Sequence, residues 1–172
     1  AGLLVLAVLW MTPGPAAARY NRAGAINYAS RWCGNARNGA YCDYGDMSGD
    51  CVNFVSQCLL AGGMNLGDPD VGHRGCGGTY IDTEHLDTYL RRGHATVRWQ
   101  DRTDIVAGDV LMLADCNSRR RYHGVFIRRT EGAGARKRIW IDGHTSNRCN
   151  TEYGFNSICG YYYHITEDCE CN

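Results

Sequence analysis

The chain has 172 residues, its 18 basic and 18 acidic side chains cancel to a formal net charge of zero, and 44% of its residues are hydrophobic. Zero net charge argues against a general nucleic-acid binder, because non-specific binding to phosphates needs a surplus of basic side chains. The hydrophobic content excludes a disordered chain, and the length allows one domain with a substantial core. We therefore expect one folded domain that binds no nucleic acid and folds without a metal.

The first eighteen residues predict a secretory signal that is not part of the fold. Residues 1–11 are an apolar run, Pro13 and Pro15 end it, and three alanines at residues 16–18 are the small side chains that a signal peptidase accepts. A membrane anchor is disfavoured, because an apolar run of this length spans only ~16 Å as a helix, about half a bilayer core. We predict a signal-peptide remnant at residues 1–18 and a secreted domain at residues 19–172, with no integral membrane segment.

The first half of the chain has the apolar spacing of helices. Residues 20–33 predict a first helix, and residues 82–92 predict a short third one. Between them, Asp50 is a suitable N-cap for a second helix that runs to about Ala61 and ends at two glycines. The buried stripe of this second helix recurs at intervals of three and four residues. Its members are Cys51, Phe54, Val55, Cys58 and Leu59.

The second half of the chain changes to short runs rich in β-branched and aromatic residues, separated by turn residues. Helices followed by antiparallel strands are typical of an α+β fold in which the two kinds of element form separate layers. The predicted strands are residues 110–113, 123–128, 138–141 and 160–165.

Ten cysteines in a chain of this length indicate disulfides and an oxidising compartment outside the cell. If Cys51 is a nucleophile, the number of remaining cysteines is odd, so at least one more is free or forms an intermolecular disulfide. Cys58, on the same helix face, is the candidate. The other eight cysteines allow 105 pairings, and the sequence does not choose among them. If all ten are paired instead, Cys51 is structural and the chain is not a cysteine enzyme.

Cys51 follows Asp50 at the first turn of the second predicted helix, where unpaired N–H groups and the helix dipole favour a thiolate. A cysteine nucleophile needs a histidine to accept its proton and a third polar group to orient that ring. Among the six histidines, His123 is the candidate because it opens a strand. Either Asp142 or His144, on the neighbouring strand, could orient it. From composition alone, a half-cystine or a small core residue remains the simpler interpretation of Cys51.

Three segments resemble a known family. GDCVNFVSQCLLAGGM, residues 49–64, resembles the signature of the putative amidase domain family, whose pattern is D-C-T-N-F-V-S-Q-C-L-x-A-G-G. Residues 20–29 resemble the family's first helix, and residues 144–148 are similar to its H-T-x-D-R segment. The resemblance extends over residues 20–165, with a poor match at residues 65–104. Because these are secreted papain-like proteins, it implies a papain-like, disulfide-braced α+β fold with N-terminal helices packed on an antiparallel sheet.

The order of the elements is also similar to that of bacterial cell-wall endopeptidases of the papain-like superfold. Those proteins have a tyrosine before the D-C pair, a G-D-V strand, a histidine that opens a strand, and a polar residue on the next strand. The resemblance implies Cys51 as nucleophile and His123 as base. It implies His144, or Asp142 in its place, as the orienting group. Tyr41 would donate its hydroxyl to the oxyanion, beside the backbone N–H of the nucleophile.

These residues predict a secreted cysteine amidase or peptidase, a monomer, that hydrolyses an amide in a peptide or peptidoglycan-like substrate through an acyl-enzyme, without cofactor or metal. A zinc site made of Cys51, His123 and His144 lacks the close paired spacings of structural zinc sites. Two alternatives stay open. One is a catalytically inactive, disulfide-rich binding module, and the other is an acyl or amine transferase on the same fold.

Overall fold

The computed structural model describes residues 19–45, 49–68, 70–72, 75–154 and 159–166. The predicted signal-peptide remnant lies outside the described residues, and so do Cys169 and Cys171. Within them the chain forms α-helices first and strands second, which confirms the predicted α+β class.

Three α-helices lie within the described residues: α1 (Arg22–Trp32), α2 (Asp50–Ala61) and α3 (Thr83–Tyr89). Asn21 caps α1 and Asp82 caps α3, and each side chain accepts a backbone N–H at 2.9 Å. The third helix is shorter than predicted because the backbone leaves the α conformation after Tyr89. It reverses at Gly93, whose φ of 102° suits glycine.

The start of α2 differs from the prediction in a way that matters for the site. The prediction that Asp50 is the N-cap was wrong, because Asp50 is the first helical residue and Gly49 occupies the cap position without a side-chain bond. The Asp50 carboxylate is instead held by side chains from other elements. All residues of α2 from Asp50 to Leu59 are buried, so this helix runs through the centre of the molecule.

Six strands form one sheet in the order β1-β6-β2-β3-β4-β5, with all neighbours antiparallel. They are β1 (Ala95–Trp99), β2 (Val110–Ala114), β3 (Arg121–Glu131), β4 (Arg138–Gly143), β5 (Arg148–Glu152) and β6 (Cys159–Ile165). The four predicted strands are confirmed, and each is longer than predicted, β3 most of all. The two edge strands, β1 and β5, were missed.

Side chains of the sheet alternate between two separate cores. On one face Met112 and Phe126 pack with residues of α2 such as Phe54 and Leu59. The opposite face carries a second apolar cluster. Its members are Ile105, Leu111, Leu113, Val125, Ile127, Ile139, Ile141, Tyr153 and Tyr162. The face on which a strand residue lies therefore decides whether its side chain can reach α2.

Disulfides brace the fold, as predicted. They are Cys33–Cys149, Cys42–Cys76 and Cys116–Cys159. Cys51 and Cys58 are both free and buried, which confirms the prediction that Cys58 is a buried thiol. These bridges are consistent with an extracellular protein. Among the described residues, none of the helices has the length and apolar composition needed to cross a bilayer.

Candidate active site

Cys51 lies at the first turn of α2 and borders a cleft of about 220 Å³. Its side chain is 2% exposed, so the sulfur lies at the floor of this cleft and not on the surface. The cleft is lined by Gly49, Cys51, Val52, Ile81, Asp82, Thr83 and Tyr122. Because the helix begins here, its free N–H groups point toward the same space.

Two opposing effects act on the Cys51 thiol. Burial, the larger effect, raises its pKa, since a thiolate is costly to desolvate. The backbone N–H groups of Gly124, Val52 and Cys51 itself act in the other direction, because they are close enough to stabilise negative charge on sulfur. The net pKa is raised, so the thiol needs a base to become a nucleophile at neutral pH.

Gly124 allows β3 to approach the start of α2. A Cβ atom at this position would lie 3.4 Å from Val52 Cγ2 and 3.6 Å from Val55 Cγ2. The direction of this Cβ is toward the helix, and the backbone N–H of Gly124 is close enough to Cys51 to lower the pKa of its thiol. Because successive side chains of a strand alternate, the face of Gly124 fixes the face of its neighbours.

His123 points to the opposite face of the sheet from Cys51. It lines a second cavity of about 250 Å³ whose apolar wall belongs to the second core cluster. The cavity is lined by Leu113, His123, Val125, Ile141, Ser146, Arg148, Glu152, Tyr153 and Gly154. His123 therefore lies on the same face of β3 as Val125 and Ile127. That face is the one turned away from α2.

The environment of His123 favours a neutral ring. Burial lowers its pKa, and the nearby charge of Arg148 lowers it further. Within the described residues, no hydrogen bond or ion pair joins His123 to Cys51, His144 or Asp142. The structure thus brings the backbone of β3 to the thiol, but not the imidazole.

A β-bulge explains this placement. Leu113 pairs with His123, and the next residue of β2, Ala114, pairs with Arg121, so Tyr122 is an extra residue in β3. Arg121 lies on the helix side, 3.1 Å from Asp87 of α3. Tyr122 also lies on that side, where it borders the Cys51 cleft with 57% of its surface exposed. Sequence analysis missed Tyr122 because a bulge leaves no local sequence signal.

His144 is held by partners other than His123. Its Nδ1 lies 2.9 Å from Asp50 Oδ2, its Nε2 lies 2.7 Å from the carbonyl oxygen of Trp32, and its ring packs 4.3 Å from that of Phe54. These contacts tie the end of β4 to α1 and to the first turn of α2. Both ring nitrogens are engaged, so His144 does not orient His123 in this structure.

Asp50 is the centre of this buried network. Asn53 donates to its Oδ1 at 3.0 Å, and Arg37 lies 3.1 Å from its Oδ2. Burial alone would raise the pKa of Asp50, but the contacts with His144, Asn53 and Arg37 outweigh burial and lower it to about 2. The residue next to the candidate nucleophile is therefore a fixed carboxylate.

The two remaining predicted residues lie outside the cleft. Asp142 is fully buried and accepts from Arg128 Nη1 at 2.8 Å and from the N–H of Asn150 at 2.6 Å. Tyr41 is half-buried, and its ring packs so closely on Gly77 that a Cβ atom there would lie 2.5 Å from it. The structure brings neither residue into contact with Cys51 or His123.

A second, open cleft adjoins that of Cys51. Asp82 and Thr83 line both, so the two form one groove along the start of α3. His85 lies in this second cleft, with its Nδ1 2.5 Å from Asp82 Oδ2. The second cleft has a volume of about 450 Å³ and is lined by Asp82, Thr83, Glu84, His85, Arg120 and Arg121. The described residues contain no group of three acidic, histidine or cysteine side chains arranged to hold a metal ion.

The similarity to a known family lies in the part of the chain around α2. A family model described as a putative amidase domain matches residues 19–72, which contain α1, α2 and Cys51. The uncharacterized protein YhbB of Bacillus subtilis (strain 168) is 33% identical over 106 residues, which cover 54% of this chain and 32% of that protein. The chain thus spans about a third of the length of this relative. No solved structure matches this chain. The family match supports an amidase-like function.

Proposed function

We propose that this protein is a secreted, papain-like cysteine amidase or peptidase in which Cys51 is the nucleophile. One observation carries the proposal. A free thiol lies at the first turn of α2, at the floor of a cleft, inside the segment that matches a putative amidase domain. The backbone N–H groups around this sulfur also suit catalysis, because donors beside the nucleophile can stabilise the oxyanion of a tetrahedral intermediate.

His123 is the base in this proposal. Its lowered pKa keeps the imidazole neutral near pH 7, the form that can accept a proton from a thiol. The backbone N–H of its neighbour Gly124 is close enough to Cys51 to lower the pKa of the thiol. Because the ring faces away from α2, the proposal requires β3 to present His123 on the helix face in the catalytic state.

The reaction would be hydrolysis in two halves. The imidazole of His123 takes the proton of Cys51, the thiolate adds to the amide carbon, and the C–N bond breaks as the imidazolium protonates the leaving amine. Water then adds to the thioester and gives its proton to the imidazole. The C–S bond breaks, a carboxylic acid leaves, and the proton returns to sulfur. One water molecule is consumed and no oxidation state changes.

The third position of the triad is assigned differently from the sequence prediction. His144 holds Asp50, the residue before the nucleophile, at 2.9 Å, so we assign it a positioning role at the start of α2. Asp142 supports the same sheet through its contacts with Arg128 and the backbone of Asn150. Neither residue has a contact that supports orienting His123, and Tyr41 has none that supports a role at the oxyanion.

The substrate in this proposal is an amide in a peptide or peptidoglycan-like polymer. The groove that joins the Cys51 cleft to the second cleft suits an extended chain, since it continues past Asp82 and Thr83 toward Arg120. Secretion is supported by the disulfides, which persist in oxidising compartments.

A binding module is the second candidate, and the position of His123 favours it. A cysteine with a raised pKa and no base in contact is a poor nucleophile. In that case the groove would bind the same kind of polymer without cleaving it. The reactivity of the Cys51 thiol separates the two functions.

The first experiment measures alkylation of the unreduced protein by iodoacetamide between pH 5 and pH 10, with the adduct mapped by mass spectrometry. We expect Cys51 to react at pH 6, because a neighbouring imidazole would accept its proton. His123→Ala should slow the reaction at pH 6 at least about tenfold, the effect of one pKa unit. Cys58→Ala is the matched control and should leave the profile unchanged. Identical pH profiles for the wild type and His123→Ala would refute the role of His123 as base.

The second experiment tests turnover. The wild type, Cys51→Ala and Cys58→Ala are incubated with peptide amides and peptidoglycan fragments, and the released amines are quantified. Cleavage by the wild type and by Cys58→Ala, but not by Cys51→Ala, is the expected result. Equal cleavage by all three would remove Cys51 from the mechanism, and binding without cleavage by the wild type would favour the binding module.

A further inference from the structure

Tyr122 and His123 lie where the side-chain alternation of β3 is interrupted. Arg121 and Tyr122 both lie on the helix side, because Tyr122 is the extra residue of the bulge, whereas His123 lies on the far side. A bulge disturbs the ladder only at its own position. Moving it by one residue would therefore change the face of one or two side chains, whereas a slip of the whole strand would reverse them all.

The register shows which residues such a move would exchange. Gly124 pairs with Met112, and Arg121 pairs with Ala114, so three pairing positions on β2 face four residues of β3. If His123 becomes the extra residue, Leu113 pairs with Tyr122 and both outer pairs are kept. Leu113 belongs to the second core cluster, so its new partner would turn to that face. His123 would turn to the helix face, beside Gly124.

Both faces have space for the exchanged side chains. The far cavity of about 250 Å³ exceeds the ~150 Å³ that is enough to hold a benzene ring, so it can take the ring of Tyr122. The cleft of about 220 Å³ at Cys51 can take an imidazole once Tyr122 has left it. The imidazole would then share this cleft with Cys51, whose thiol the backbone N–H of Gly124 is already close enough to affect.

The groups that face the exchanged residues do not oppose the move. Tyr122 is 57% exposed, so entering the far cavity, which has an apolar wall of Leu113, Val125 and Ile141, would remove aromatic surface from water. His123 is favoured in its neutral form by burial and by Arg148, so it would cross to the helix face without carrying a charge. Gly124, directly after the new bulge position, has no side chain to restrict the backbone change.

We infer that β3 has two states related by a one-residue move of its bulge, in which Tyr122 and His123 exchange faces. With Tyr122 at the cleft, as in this structure, Cys51 has no base. With His123 at the cleft, the nucleophile and base of the proposed function are assembled. Tyr122 is thus a positioning residue that occupies the site of the base in the resting state. A substrate that displaces its ring from the cleft would favour the second state. The catalytic consequence of this inference rests on the proposed function, but the test for the two states of β3 does not.

The test traps each state with a disulfide to Cys51. Separate His123→Cys and Tyr122→Cys variants are oxidised mildly with copper phenanthroline, and the bridged peptides are mapped by mass spectrometry. Trapping is irreversible under these conditions, so a minor state accumulates with time. We expect both variants to form a bridge to Cys51, and Tyr122→Cys to form it faster.

Val125→Cys is the matched control, because residue 125 faces the far core in both states and should form no bridge. A His123→Cys chain that forms no bridge to Cys51 overturns the inference, whatever the Tyr122 variant does. A bridge in Val125→Cys at the rate of His123→Cys also overturns it, because the exchange would then involve more of the strand than the bulge.

A measurement on the unmodified chain keeps the result independent of the substitutions. In NMR spectra the His123 ring protons should show contacts to methyl groups of Ile141 in one state and of Val52 in the other. Contacts to Ile141 alone, together with no bridge in His123→Cys, would overturn the inference. If alkylation of Cys51 at low pH depends on His123 but His123→Cys forms no bridge, the bulge move is refuted and the proposed function stands. A bridge without that dependence would refute His123 as base and leave the two states standing.

Discussion

The buried carboxylate beside the candidate nucleophile predicts an acid-sensitive fold. Asp50 is fully buried, and its contacts with His144, Asn53 and Arg37 outweigh burial and lower its pKa from an ordinary value of 3.8 to about 2. At 1.36 kcal/mol for each pKa unit, this shift corresponds to about 2–3 kcal/mol of stability. Because the pKa is depressed in the folded state, that stability is present above about pH 4 and is lost as the pH falls toward 2.

The assay compares urea unfolding of the wild type and of Asp50→Asn, followed by circular dichroism, at pH 6, 4, 3 and 2. The wild type should be more stable at pH 6, and its advantage should shrink by about 2–3 kcal/mol by pH 2. Asp101→Asn is the control, because solvent screens the contacts of that exposed carboxylate and its effect should change much less with pH. An Asp50→Asn curve parallel to that of the wild type at every pH would refute the assignment.

Other elements of the fold give further predictions. Asp109→Ala should lower the free energy of unfolding in urea by about 3 kcal/mol, because the largely buried Arg22 guanidinium would lose the carboxylate that lies 2.5 Å from it. A loss below about 1 kcal/mol would contradict this expectation. Gly160→Ala should lower the free energy of unfolding by about 1–3 kcal/mol, since its Cβ would lie 2.8 Å from a β2 carbonyl oxygen. Gly124→Ala, with its nearest contact at 3.4 Å, should lower it by less than ~1 kcal/mol. Equal thermal melting points of the two variants would contradict this difference. Native Cys58 should resist iodoacetamide at pH 8 and react in urea, as mass spectrometry can show, because it is fully buried and burial raises its pKa.

The parts of the fold that sequence predicted are those set by local spacing. The stripe from Cys51 to Leu59 recurs with the helical period, and all of it is buried in α2. Apolar runs likewise identified β2 and β6. The edge strands β1 and β5 were missed because neither carries a strong apolar run: β1 alternates between half-buried and exposed residues, and β5 is mostly exposed and polar.

The contacts that Asp50 and His144 make could not be predicted for a different reason. Each residue type suits the role that local sequence suggested, a helix cap for Asp50 and an orienting group for His144. The two side chains contact each other instead, although more than ninety residues separate them in the sequence. A preference for capping is worth only about 1 kcal/mol, and a buried charged contact can override it. Such long-range partners have no signature in the sequence around either residue.

His123 shows the limit of assigning a site by motif and alternation together. Alternation puts it on the same face as Val125, and the family resemblance named it as the base, but neither specifies which face of β3 meets α2. That choice is made by Gly124, which packs on the helix, and by the bulge at Tyr122, which depends on how β3 pairs with β2. If the bulge is mobile, the motif and the structure describe two states of one site. If it is fixed, Tyr122 occupies the place of a catalytic base, and Cys51 has the position of a nucleophile but no base to activate it.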